Sequence, residues 1–148
     1  MRCVLLLAAI LILVNCGDKP ATVDDFHTSD LTLPGGEVLK VEMMIANADT
    51  MRGMMFRTSI APDHGMLFVH RKPGQYSHWM YQTPISLDTV WMDDKHNIVE
   101  IVENAPPCTT VASKCPHFGG KEMSQYSLQM GAGMVKKYHL KLGDSLRW

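Results

Sequence analysis

The chain is 148 residues long, which suits one domain, since domains of about 100–150 residues are common and already bury most of their apolar surface. Its 14 Lys and Arg nearly cancel its 15 Asp and Glu, so there is no summed positive field to gather phosphates, and nucleic acid is excluded as an expected partner. The 46% hydrophobic fraction is ordinary for a globular protein.

The N-terminus opens Met1-Arg2-Cys3 and runs without charge from Val4 to Val14. A short basic start followed by an apolar run too short for the ~20 residues of a spanning helix is the composition of a signal peptide, here residues 1–15. The run ends Leu13-Val14-Asn15-Cys16. An aliphatic residue three places before a Cys resembles the bacterial lipobox, which makes Cys16 the expected lipidation site and the membrane the expected partner, reached through acyl chains. Residues 16–27 are small, charged or Pro, with little to bury, and read as a tether. The domain is expected over residues 28–148. With Cys3 lost and Cys16 lipidated, Cys108 and Cys115 remain as a pair in an oxidising compartment, where a disulfide is expected. Their six intervening residues are wider than a zinc knuckle, and no metal or other cofactor is expected.

Leu31-Thr32-Leu33 and Val38–Met43 flank Pro34-Gly35-Gly36-Glu37, which reads as a β-hairpin whose glycines supply positive φ. A short helix follows over residues 48–54, with Asn47 or Asp49 as its cap. Strands are then expected at Met66–His70, Ser77–Tyr81, Leu87–Met92 and Ile98–Glu103. The sequences between them, among them Lys72-Pro73-Gly74 and Thr83-Pro84, have turn chemistry. Tyr126–Met130 reads as another strand, residues 131–138 as one or two helical turns, and Leu140–Leu146 as the closing segment. The predicted class is mainly β, α+β at the margin: a small antiparallel barrel- or sandwich-like domain with one or two short helices.

The order of several phrases resembles the domain-of-unknown-function 192 (DUF 192) family of small, usually exported prokaryotic proteins. They are Thr50-Met51-Arg52-Gly53-Met54-Met55-Phe56-Arg57, Gly65-Met66-Leu67-Phe68, Trp79-Met80-Tyr81-Gln82-Thr83-Pro84-Ile85-Ser86-Leu87-Asp88, Pro107-Cys108 with Cys115-Pro116, Tyr126-Ser127-Leu128 and Leu142-Gly143-Asp144. The resemblance implies a compact, mainly β fold and no particular reaction.

Among single residues Asp88 is the most informative. Alternation along its strand puts it on a face with Ser86, Val90 and Met92, where a carboxylate needs a partner. Arg52 and Arg57 are candidates for an ionic clasp, and backbone amides are the alternative. Trp79 and Met80 point to opposite faces of their strand. Asp88, Trp79, Thr83, Ser86, Arg52 and Arg57 are therefore the candidate ligand-binding residues, around a groove walled by Trp79 and the Thr83-Pro84 turn. No catalytic residue is assigned. The 12 Met and 7 His raise a copper reading, although adjacent pairs such as Met54-Met55 would point to different sides of a strand.

The expected function is thus an exported, lipid-anchored envelope protein acting as a small binding or accessory module for a small molecule or an envelope protein. The alternatives are a small hydrolase or isomerase with Asp88 as acid or base, and a periplasmic copper-handling protein.

Overall fold

The computed structural model describes residues 28–148; the expected signal peptide, lipidated Cys16 and tether lie outside the described residues. The first hairpin is β1 (Thr28–Thr32) against β2 (Val38–Met44), with Leu31 opposite Leu39. Its turn uses one left-handed glycine, Gly36 at φ 95°, the residue whose amide closes the turn on the Leu33 carbonyl.

β2 then pairs with β3 (His64–Gly74) in parallel, so the expectation of an antiparallel sheet is corrected at this one pairing. A parallel pair cannot be joined by a tight turn and needs a crossover. Residues 45–63 supply it and carry α1 (Asn47–Arg52). Ala46 is the N-cap and no side chain caps the helix, neither Asn47 nor Asp49. The remaining strands are β4 (His78–Trp79), β5 (Leu87–Met92), β6 (Ile98–Ala105), β7 (His117–Phe118) and β8 (Ser124–Gly131), and a short α2 spans Met134–Lys137. The main sheet runs β1-β2-β3-β8-β5-β6, while β4 and β7 form a two-stranded sheet of their own.

The main sheet is open, so the barrel alternative gives way to a sandwich-like layering. The C-terminal segment nonetheless ties both edges, with Arg147 bridging Thr32 beside β1 and Ser145 bridging Asn97 beside β6. Every residue of β5 is buried, because both faces of this central strand are covered. One face holds Val90 and Met92 with Leu39, Val41, Leu67 and Leu128. The opposite face holds Leu87 with Met66, Phe68, Met80 and the Cys108–Cys115 pair.

Two expected turns are different in the structure. Strand β3 continues through Lys72-Pro73-Gly74, with a shift of register against β8 between Val69 and Gly74. The bulging chain lets Tyr76 fold back, its hydroxyl donating to the Lys72 carbonyl at 2.8 Å. The expected strand over 77–81 shrinks to His78–Trp79, since its partner β7 is itself two residues long. Gly119 lets this small sheet lie close on the main one, and Gly120 lets the chain after β7 pass close to the backbone leading into β4. A Cβ at Gly119 would run into the Trp91 ring, and one at Gly120 would sit 2.7 Å from the Ser77 amide nitrogen. Both take positive φ, a conformation that costs glycine least.

Candidate functional site

The parallel crossover and the small sheet stand side by side over one face of the main sheet and leave a pocket of about 460 Å³ between them. Its size is that of a small-molecule site. Alternation builds the floor: Leu67 belongs to the opposite core, so Phe68 and His70 of β3 face the pocket, and Gln129 of β8 does likewise between Leu128 and Met130. Met51, Arg52, Gly53, Met54 and Met55 line the α1 side, and Tyr76, Ser77, His78, Trp79 and Thr83 line the other.

Most of these side chains are held. The Trp91 indole N–H donates to the Tyr76 carbonyl at 2.7 Å, fixing the segment before β4. His70 stacks on Tyr76 with ring centroids 3.6 Å apart. His78 lies edge-on to Phe68 at 4.6 Å, and its Nε2 is 2.7 Å from the buried Ser127 Oγ. Burial holds the His78 imidazole neutral, pushing its pKa down to about 3, with nearby His70 adding a smaller push in the same direction. Burial also lowers the pKa of His70. The Nε2 of His70 is buried without a hydrogen-bond partner among the described residues. Apart from Arg52 on its α1 side, the pocket therefore offers uncharged polar groups set in apolar walls. It can orient a ligand by hydrogen bonds, but so depressed a pKa makes His78 a poor base near neutral pH.

The rim carries exposed apolar side chains, Met51 at 78% and Trp79 at 38%. Met80, by contrast, is buried, which settles the two faces of that short strand. The Trp79 indole N–H donates to the Cys115 carbonyl at 3.1 Å, and its ring stacks with Tyr81 and His117. Beside the pocket the Phe56 amide donates to the Gln82 carbonyl at 2.7 Å, and both residues hold positive φ, an uncommon conformation for non-glycine residues.

Of the six residues singled out in the sequence, Arg52, Trp79 and Thr83 line the pocket; Asp88, Ser86 and Arg57 do not. Asp88 is fully buried and belongs to the other face of β5. Its two oxygens accept the backbone amides of Asn104 and Val135, each at 2.8 Å, so its partners are backbone amides rather than an arginine. Arg57 instead makes a two-pronged pair with Glu42, at 2.6 and 2.5 Å. The carbonyl of Ser86 accepts the Ala132 amide. The disulfide forms as expected between Cys108 and Cys115 and closes the loop behind Trp79.

Sequence reasoning did not select His70, His78 or Gln129 as site residues. The alternation of Leu67-Phe68-Val69-His70 and of Leu128-Gln129-Met130 carried the signal, but only the fold shows that their outer faces meet. The two methionines of Met54-Met55 both line the pocket, because they sit in a turn after α1 rather than in a strand.

Comparison with solved structures finds the same fold in two bacterial proteins. A protein of unknown function from Novosphingobium aromaticivorans is 24% identical with a TM-score of 0.75, over 86% of this chain and 90% of that one. A proposed transcription regulator from Sinorhizobium meliloti is 31% identical with a TM-score of 0.68, over 80% of this chain and 89% of that one. No curated protein matches the sequence. The family model described as DUF192, uncharacterized ACR, matches residues 31–148, the whole of the folded domain apart from its first three residues, and the chain belongs to that family.

Proposed function

We propose that the protein is a lipid-anchored envelope module that binds a small, largely apolar molecule in the pocket between α1 and the β4–β7 sheet. The observation that carries this reading is the convergence of His70, His78 and Gln129 on a concavity walled by Phe68, Met54 and Met55. Few polar groups in an apolar cleft orient a ligand, and the apolar walls supply most of the affinity. The anchor rests on the Leu13-Val14-Asn15-Cys16 sequence. The reading favours binding over catalysis because Asp88, the acid the enzyme alternative needs, is occupied by two backbone amides away from the pocket. The transcription-regulator description of the Sinorhizobium protein is not adopted, since near-zero net charge supplies no field for a nucleic acid backbone.

Native mass spectrometry of the exported protein, purified without denaturation, tests the pocket. A bound small-molecule mass that is lost in Ser77→Trp, which puts an indole into the lining, supports the reading; a mass equally retained by that variant contradicts it. For the anchor, Cys16→Ala is expected to release the protein from the membrane fraction. A second reading has its own support: Met51, Met54 and Met55 line the same pocket as His70 and His78, and thioether and imidazole ligands suit Cu(I). Competition with a chromophoric Cu(I) chelator tests it, with binding expected to fall in Met54→Leu/Met55→Leu.

A further inference from the structure

Gln129 sits on the pocket face of the central strand β8 and is only 4% exposed, yet its side-chain amide makes no hydrogen bond to any described residue. Its polar atoms open onto the pocket, unlike the His70 Nε2, which is shut off without a partner among the described residues, and an amide covered without a partner loses its hydration with nothing in return. Here the amide lines the pocket, so a ligand that fills the pocket and displaces solvent from it must pair with that amide or leave it without a partner. We propose that the buried end of that ligand is a neutral carboxamide or lactam, bound edge to edge by the Gln129 amide. The proposal rests on the binding reading above and specifies its ligand class.

An amide side chain offers a carbonyl acceptor and N–H donors side by side. A ligand that supplies both in the same plane satisfies both at once, whereas an ester or ketone leaves the Gln129 carbonyl without a donor. A carboxylate fails for a different reason. The lining groups Phe68, His70 and His78 carry no fixed charge, and the ionic member of the lining, Arg52, is exposed on α1. An anion at the floor would lose its hydration without a paired cation. The rest of the ligand is apolar, matched to Phe68 and to the adaptable thioethers of Met54 and Met55.

The test is an NMR titration of the isotope-labelled protein with three matched probes: benzamide, methyl benzoate and sodium benzoate. Benzamide is expected to shift the Gln129 side-chain NH2 resonance and to bind roughly tenfold more tightly than methyl benzoate, the effect of one or two net hydrogen bonds, with benzoate weaker still. In Gln129→Leu the gap between benzamide and methyl benzoate should close. Should that variant fail to fold, the wild-type ranking and the Gln129 resonance decide alone. Equal binding of benzamide and methyl benzoate at pocket resonances would overturn the amide assignment and leave the pocket reading standing. If none of the three probes shifts any pocket resonance, both fall together.

Discussion

At Asp88 the sequence and the structure agree on the need and differ on the partner. Alternation placed the acid correctly with Val90 and Met92, away from solvent, and a buried carboxylate needs donors. Which donors they are was not legible, because Asn104 turns its amide inward at a register shift of the neighbouring strand β6 and Val135 arrives from α2. Asn104 itself holds φ 53°, an orientation Asn tolerates better than most residues, and this aims its amide at the carboxylate. Asp88→Asn would set an NH2 against one of the two amides and leave it unpaired. We expect a loss of about 1–3 kcal/mol of stability, read in a thermal or denaturant melt, with ligand binding at the pocket unchanged. Loss of binding without loss of stability would return Asp88 to the site.

His78 gives a pH dependence of definite sign. Its ordinary pKa of 6.5 falls to about 3 on folding, so between those values the unfolded chain binds the extra proton. The stability this group contributes is complete above about pH 6.5 and is lost as pH falls toward 3, by up to about 1.4 kcal/mol per unit. The depressed pKa of His70 acts in the same direction. Melting temperatures of wild type and His78→Gln measured at about pH 7.5, 6 and 4.5 should diverge in slope, with wild type falling more steeply. Parallel curves would contradict a neutral buried imidazole.

Most of the main strands were legible in the sequence because their apolar alternation is clear, as in Val38–Met44, Leu87–Met92 and Ile98–Ala105. What failed to show was pairing. The parallel alignment of β2 with β3 depends on the crossover over residues 45–63, and nothing local in Val38–Met44 states it. The passage of β3 through Lys72-Pro73-Gly74 was hidden by turn-forming residues that here accommodate a bulge. Strand β7 is too short to carry a pattern at all.

The β4–β7 sheet has little hydrogen bonding of its own, and the Cys108–Cys115 bond secures the loop against which Trp79 and Tyr81 rest. Tyr81 and Thr83 both bridge to Cys108, so the bond also fixes the Thr83 wall of the pocket. Closing so short a loop contributes about 2–3 kcal/mol in the chain-entropy account. Reduction, or Cys108→Ser/Cys115→Ser, should lower the melting temperature and speed amide exchange at His78 and Phe118 before exchange in β5 and β8. Uniform loosening across both sheets would mean that the small sheet is not a separate layer.

Over the whole domain, the central sheet divides the labour between its faces. One face is a closed core that takes in Asp88 and satisfies it, and the other is covered incompletely by α1 and the β4–β7 sheet. Arg52, Trp79 and Thr83 were within reach of sequence reasoning because they lie in family-like phrases on the covering segments. His70, His78 and Gln129 were not, since their meeting depends on β8 pairing beside β3 and on β4 folding over that face, which no local pattern states. The exposed apolar rim, Met51 and Trp79 with Phe56 at 67%, continues the pocket's character to the surface, as suits entry of an apolar molecule.

The central claim is that this pocket is where the protein binds its ligand, and a crystallographic soak with a library of small aromatic fragments tests it most directly. The account predicts that fragments collect between α1 and β4, over Phe68 and within hydrogen-bonding distance of Gln129. Fragments gathering elsewhere on the surface while this pocket stays empty across the library would contradict it.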